Sequence, residues 1–372
     1  MPRKLRLAYF AHTLRSDWNN GNAHFLRGLM RALGRMGHGV QVLEPEREWS
    51  IDNLRAELGG ERSLEQFAQT YPDINISTYR KDCPEPEHCF RERLRGTDVV
   101  LLHEWNPPEL AQMLLAIRQQ LGYKLLFHDT HHRASSSPEQ MQRFGLKRFD
   151  GIVGFGETLC EIYRDRFGLE KVWTLHEAAD TSVFTPHPEI VRRREIVWVG
   201  NWGDDERARE IGEFLLQPAA ALASEARTTI YGVRYPEQAL QALREAGVSY
   251  GGYLPNLDAP LLYAKAGATV HVPRQQYTSA MRGIPTIRVF EALACGVPLV
   301  SAPWEDCEGL FRPGDLRWAS NTAEMTETLH TMLTDKAAAE DQAARGLETV
   351  LTRHTCEHRA RQLTDICEEV MA

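Results

Sequence analysis

No apolar run in this 372-residue chain approaches the ~20 residues that a membrane span requires. The amino terminus, Met1-Pro-Arg-Lys-Leu-Arg-Leu-Ala-Tyr-Phe-Ala-His12, has too short an apolar stretch for a secretory signal. The 7 cysteines are odd in number and widely scattered, which argues against a disulfide framework. Together these absences predict a cytoplasmic protein with no transmembrane segment. Cys83, His88 and Cys89 do cluster in a Pro/Glu-rich loop, where they could bind metal or form a disulfide. No second ligand pair is spaced to complete a zinc site, so they read as loop thiols and no metal is assigned. Positive charge is not in surplus either: 43 Lys and Arg face 51 Asp and Glu, for a net charge of −8. Nucleic acid is thereby excluded as a bulk partner, since its footprint is a basic excess, although local basic pockets for small anions remain open.

Two enzyme classes lack their signatures. A dinucleotide site needs a tight G-x-G-x-x-G turn, and the loop after the first strand, Phe10 to Gly21, offers only Gly21. An NAD-type oxidoreductase loses its main support. Glycosidases work with two positioned carboxylates, and no such pair can be nominated.

What the chain has is material for a core and a repeated alternation. A 42% hydrophobic fraction, to which 27 glycines add, is ordinary for a globular protein, and the length predicts about two domains. Leu5, Leu7 and Tyr9 alternate as a strand. Phe25, Leu26, Leu29, Met30, Leu33 and Met36 then recur at helical spacing up to Gly37, and Val40 and Val42 begin the next strand. Asp98-Val-Val-Leu-Leu-His103 and Tyr123-Lys-Leu-Leu-Phe-His128 are strands flanking a helix opened by Pro107-Pro108-Glu109. After residue 190 the alternation resumes, with strands at Ile196–Val199, Thr228–Tyr231, Thr269–Val272 and Val297–Val300 and helices near 206–223, 236–246, 286–295 and 321–334. This predicts two α/β units with doubly wound parallel sheets. Residues 45–97, rich in charge and poor in pattern, read as an insertion with short helices. The segment from His176 to Pro188 ends in turn formers and reads as a linker.

Ligands of open α/β sheets bind beyond the carboxyl ends of the strands. His12, His103, His128 and His176 each close an apolar strand-like run, placing imidazoles where they can bond a hydroxyl or exchange a proton. The plainer alternative is that each caps its strand in a polar loop. The richest segment runs from Pro273 to Val300. Thr286 reads as an N-cap, Gly296 as the helix stop, and Pro298 blocks continuation. The helix start offers backbone N–H groups and partial positive charge to a phosphate, and Arg274, Arg282 and Arg288 lie in or beside the same loop. Glu291 sits on an otherwise apolar stretch and needs a partner if buried: a ribose diol, or a structural arginine.

At this segment the chain resembles the GT-B glycosyltransferases, in which two Rossmann-like domains clasp a nucleotide-sugar across a central cleft. Phe290-Glu-Ala-Leu-Ala-Cys-Gly-Val-Pro-Leu-Val-Ser301 is similar to the nucleotide-sugar segment of the large retaining group. Asp180-Thr-Ser-Val-Phe-Thr-Pro186 resembles its interdomain hinge, and Gly252-Tyr-Leu-Pro255 with Leu261-Leu-Tyr-Ala-Lys-Ala-Gly267 its usual lead-in. Thr286-Ile-Arg-Val-Phe-Glu291 and His354-Thr-Cys-Glu-His-Arg-Ala360 resemble the CgeB-type, spore-maturation-related branch most.

The resemblance implies roles by position. Glu291 holds the donor ribose, the amides of Thr286 and Ile287 face the phosphates, and His128, ending Lys124-Leu-Leu-Phe-His-Asp129, faces donor sugar and acceptor with His12 nearby. Two departures stand out. Where the group's paired-glutamate motif has its first acid, eight residues before the second, this chain has Gly283. Where a basic pair usually follows the first strand of the second domain, it has Gly200-Asn201-Trp-Gly-Asp-Asp-Glu-Arg207. The phosphate charge is therefore expected to fall to Arg274, Arg282 and Arg288, with Gly200 and Asn201 lining the donor site. Asp204 and Asp205 read as a helix cap and first turn rather than metal ligands.

The expected organisation is an N-terminal acceptor-side domain, 1–178; a hinge, 179–188; a nucleotide-sugar domain, 189–350; and a C-terminal helix, 351–372, crossing back to the first domain. The expected activity moves a sugar from a nucleoside diphosphate sugar, of UDP or GDP type, to a hydroxyl of a glycan, protein or small molecule. Retention and metal independence follow from the resemblance, and no cofactor beyond the donor is expected. The alternative, prompted by Gly283, is an inactive GT-B-like binding or assembly protein.

Overall fold

The computed structural model describes residues 3–203 and 207–372. The expectation for Asp204 and Asp205 lies outside the described residues. The chain divides into two compact units, Met1–Glu177 with Cys356–Ala372, and Ala178–Thr355.

The first unit is built on seven parallel strands: β1 Arg6–Phe10, β2 Gly39–Pro45, β3 Ile76–Tyr79, β4 Val99–His103, β5 Lys124–Asp129, β6 Gly151–Gly154 and β7 Val172–Thr174. They lie in the order β3-β2-β1-β4-β5-β6-β7, with β1 flanked by both β2 and β4. The inner strands are continuous apolar runs because helices cover both faces of such a sheet; every residue of β4 is buried. The apolar stripe predicted from Phe25 to Leu33 is the buried face of helix Ala23–Arg35. Gly37, at φ +88°, turns the chain out of that helix toward β2.

Residues 45–97 are more than an insertion. They form helices Trp49–Ala56, Gly60–Thr70 and Pro86–Leu94, and they contribute β3, which extends the sheet beside β2. Four residues at a sheet edge, none of them fully buried, leave no apolar run or clean alternation to read. The C-terminal helix Cys356–Met371 belongs to this unit. It packs on helix Ala23–Arg35, Arg359 donates to the His176 carbonyl at 2.9 Å, and Trp173 donates to Glu369 at 3.0 Å.

The second unit carries β8 Glu195–Val199, β9 Arg227–Tyr231, β10 Ser249–Tyr250, β11 Ala268–His271, β12 Leu299–Ser301 and β13 Arg317–Trp318, all parallel, in the order β10-β9-β8-β11-β12-β13. Its core joins Ile196, Trp198, Phe214, Ile230, Leu243, Val270, Val300 and Leu329. Helices Glu237–Glu245, Ile287–Ala294 and Thr322–Thr334 fall where the periodicity places them. The expected 206–223 helix is described from Ala208 to Ala221, with its middle turn, Gly212–Leu216, wound wider than an α-helix. In both sheets the order reverses beside the first strand, at β1/β4 and at β8/β11. Those switch points are where an open α/β sheet receives ligands.

Candidate functional site

In the second unit the loops leaving β8 and β11 flank the switch point. Gly200 is held tightly: its carbonyl accepts from the Tyr235 hydroxyl at 2.8 Å, and a Cβ on it would stand 2.8 Å from the Trp198 ring. The Asn201 side chain accepts from the Val233 amide at 3.0 Å, tying the β8 loop to the loop after β9. Arg207, which the sequence reading passed over, crosses the switch point. Its guanidinium donates to the carbonyls of Asn201 and Val272 and lies 5.0 Å over the Trp198 ring. A cation therefore stands beside the position where the resembled group carries its basic pair.

Helix Ile287–Ala294 follows the long loop after β11. Thr286 occupies its N-cap position with extended backbone, but its side chain makes no capping bond to the first turn. Glu291 is fully buried. Asn256 donates to one of its carboxylate oxygens at 3.1 Å, and Arg288, one turn back, donates to the other. Arg288 therefore engages this carboxylate from within the same helix. Arg282 is exposed and faces Glu305 at 3.6 Å, while Arg274 stands at the start of the short helix Gln275–Thr278. Gly283 has φ +89°, and a Cβ there would lie 3.1 Å from that of Cys307, so the loop path itself is built for glycine at this position.

In the first unit three of the four strand-ending histidines converge. The ring of His103 lies 5.8 Å from that of His12 and 5.8 Å from that of His128. His176 stands apart, beyond β7, with Nδ1 3.1 Å from the Phe155 carbonyl. His128 Nδ1 is 2.7 Å from the Tyr9 hydroxyl, whereas His128 Nε2 and His12 Nδ1 are buried without a hydrogen-bond partner. Burial pushes His128 down to about 3, and burial with the nearby Lys81 charge pushes His12 down to about 4. Both imidazoles are therefore neutral at neutral pH, each able to accept or donate one hydrogen bond.

Two carboxylates complete this cluster, and the sequence reading missed both. Glu104 accepts from the Thr130 hydroxyl at 3.0 Å, and the same hydroxyl stands 3.1 Å from His103 Nε2. Asp129 accepts from the Tyr163 hydroxyl and from the His131 amide at 3.0 Å. Burial raises Asp129 to about 6 against the pull of the Tyr163 bond. Burial, then the charge of Asp129, raises Glu104 well above the carboxylate range. The signal was present: His103-Glu104 and His128-Asp129 place the same His-acid pair at the ends of neighbouring strands.

Among the described residues, no group of three or more His, Cys, Asp and Glu is arranged to hold a metal ion, and no helix is long and apolar enough to cross a membrane.

A family model described as glycosyl transferase-like matches residues 207–365. No curated protein matches the chain. Solved structures do. HepE of Anabaena, in complex with UDP and glucose, superposes with a TM-score of 0.72 at 11% identity over 97% of this chain and 98% of that one. A glycosyltransferase from Rickettsia africae gives 0.67 at 11% identity over 99% of both chains. Sucrose-phosphate synthase from Thermosynechococcus elongatus gives 0.66 at 14% identity, over 98% of this chain and 99% of that one. The fold is that of the GT-B glycosyltransferases: two α/β units, each on a parallel sheet.

Proposed function

We propose that the protein is a glycosyltransferase that moves a sugar from a nucleoside diphosphate sugar to an acceptor hydroxyl, with retention and without a metal, and that it belongs to the CgeB-type branch. The observation that carries this reading is the buried Glu291, held between Asn256 and Arg288 on the helix that follows the switch-point strand β11. Burying a carboxylate is costly, and two donors offset that cost while fixing its orientation. On this reading the oriented carboxylate also accepts from the donor's ribose diol. The glycosyl transferase-like match over 207–365 spans this helix, Asn256 and Arg207.

In this reading the amides of Thr286 and Ile287 bind the diphosphate, with Arg274, Arg282 and the outer face of Arg288 meeting its charge as the leaving group departs. Fixed donors aimed at developing charge are usually the largest catalytic term, and their presence is why no metal is invoked. Gly200 and Asn201 shape the donor pocket. His128 and His12, neutral and with unpartnered ring nitrogens, contact donor sugar and acceptor. UDP is the first nucleotide to test, because HepE was solved with it; GDP is the second.

Thermal shift with UDP, GDP, ADP and CMP at millimolar excess is the direct test. A nucleotide present at 100 times its dissociation constant stabilises by about 2.7 kcal/mol. If none moves the melting temperature, the transferase reading is wrong. A second reading, a GT-B-shaped binding or assembly protein without transfer, is favoured by Gly283, whose φ of +89° disfavours the acid of the paired motif. It predicts nucleotide binding with no slow hydrolysis of the bound nucleotide-sugar.

A further inference from the structure

The loop between β3 and helix Pro86–Leu94 holds one thiol, Cys83, and the helix itself another, Cys89, neither of which the functional reading uses. Cys83 and Cys89 are half-buried, and their Sγ atoms stand 3.2 Å apart. Each is fixed by its backbone. The Cys83 amide donates to the Arg80 carbonyl at 3.4 Å, and the Cys89 amide, in the first turns of its helix, donates to the Glu85 carbonyl at 3.1 Å. The next residue, Phe90, is locked edge-on against Tyr79 and Phe10, with ring centroids 5.0 and 5.4 Å away, so the helix cannot turn Cys89 away without breaking an aromatic cluster. A movement of about 1 Å closes the gap to the ~2.05 Å of a disulfide.

We propose that Cys83 and Cys89 form a reversible disulfide site, closed by exchange with a small-molecule disulfide such as oxidised glutathione, and that closure fixes the loop between β3 and helix Pro86–Leu94. One cysteine thiolate attacks the oxidised glutathione, forming a mixed disulfide and releasing one glutathione thiolate. The second cysteine thiolate then attacks the protein sulfur of that mixed disulfide, closing Cys83–Cys89 and releasing the second glutathione. The two protons lost by the cysteines go to the released thiolates, and the two electrons lost by the protein reduce the glutathione disulfide.

Two further observations support the site. The Cys89 thiol is held above its usual range chiefly by the hydrogen bond it shares with Cys83, with burial adding to the effect, so the two sulfurs already interact in the reduced protein. The Phe10 ring, two residues before His12, packs 6.3 Å from that of Tyr79 and 5.4 Å from that of Phe90, so the residues flanking the loop rest on the strand that leads to His12. The inference concerns the first unit alone and stands whether or not the donor reading holds.

The test uses the full chain with Cys307→Ser, which removes the exposed competing thiol. Incubated with excess oxidised glutathione, it is expected to lose about 2 Da in intact mass, to yield a proteolytic fragment linking Cys83 to Cys89, and to recover on dithiothreitol. Cys83→Ser and Cys89→Ser in the same background are each expected to stop at a glutathione adduct. Unchanged mass, or stable adducts on both cysteines with no internal link, overturns the site. Hydrogen exchange of residues 80–86 is expected to slow in the oxidised form; an unchanged rate in a protein shown to be linked overturns the second half of the proposal.

Discussion

Asn256 donates to Glu291 at 3.1 Å, joining the segment after β10 to the second turn of helix Ile287–Ala294, with both side chains buried. With Arg288 on its other oxygen, the carboxylate cannot rotate freely. A diol meeting it would meet a fixed acceptor. Glu291→Gln keeps the volume but removes the charge, and hydrogen bonds to charged groups contribute about 1.5–3 kcal/mol. Calorimetry with UDP is expected to show affinity reduced by about 10- to 100-fold. Asn256→Ala, which leaves the carboxylate in place but frees one side of it, should weaken binding less. Equal affinity in wild type and Glu291→Gln would move the ribose elsewhere.

The arginines separate by what already holds them. Arg282 pairs with Glu305 in the open, where an ion pair contributes about 0–1 kcal/mol. Arg282→Ala should leave the melting temperature nearly unchanged while weakening nucleoside diphosphate binding and flattening its dependence on salt. Arg288→Ala should instead lower both stability and affinity, because it also strips a partner from a buried carboxylate. If both variants behave alike, these two roles are misassigned.

The doubly wound architecture was legible because its inner strands and helices are strongly patterned: the Asp98–His103 run and the Phe25–Leu33 stripe leave little choice. β3 was not legible, since a short edge strand with no fully buried residue carries neither period. At the site, Glu291 stood out as one acid in an apolar helix. Arg207 did not, because its meaning lies in carbonyls that come from two separate loops, and only the fold brings Asn201 and Val272 to the same guanidinium. Glu104 and Asp129 were hidden differently. Next to histidine they read as ordinary polar loop residues, and only burial makes them unusual.

Gly283 gives a prediction about the missing acid. At φ +89°, any side chain pays the left-handed penalty of about 1–2 kcal/mol, and its Cβ would approach that of Cys307 at 3.1 Å. Gly283→Glu, which restores the paired motif on paper, is expected to destabilise the fold in urea titrations by at least that much and to add no nucleotide-sugar turnover. A stable, more active Gly283→Glu variant would mean that the loop is free to re-form around the acid.

The histidine cluster gives the last prediction. An unperturbed imidazole titrates near 6.5, and burial lowers His128 to about 3. Between those values the unfolded chain takes up a proton that native His128 refuses, so its contribution to stability is complete above pH 6.5 and is lost as the pH falls. At about 1.4 kcal/mol per pH unit, the loss from this group reaches about 2 kcal/mol by pH 5. His12, lowered to about 4, acts in the same direction. Asp129, raised to about 6, acts in the opposite one: its native form keeps a proton that the unfolded chain releases, so its contribution is present at low pH and fades as pH rises through 6. Glu104, also raised, acts as Asp129 does. The net slope of the wild type mixes these groups, but the difference between wild type and His128→Gln isolates one of them. Urea unfolding at pH 7 and pH 5 is expected to show the variant losing about 2 kcal/mol less than wild type over that interval. Identical losses in the two proteins would mean that His128 is already protonated in the native state at pH 5. It would then have an unrecognised charged partner, and the neutral role assigned to it beside donor and acceptor would fail.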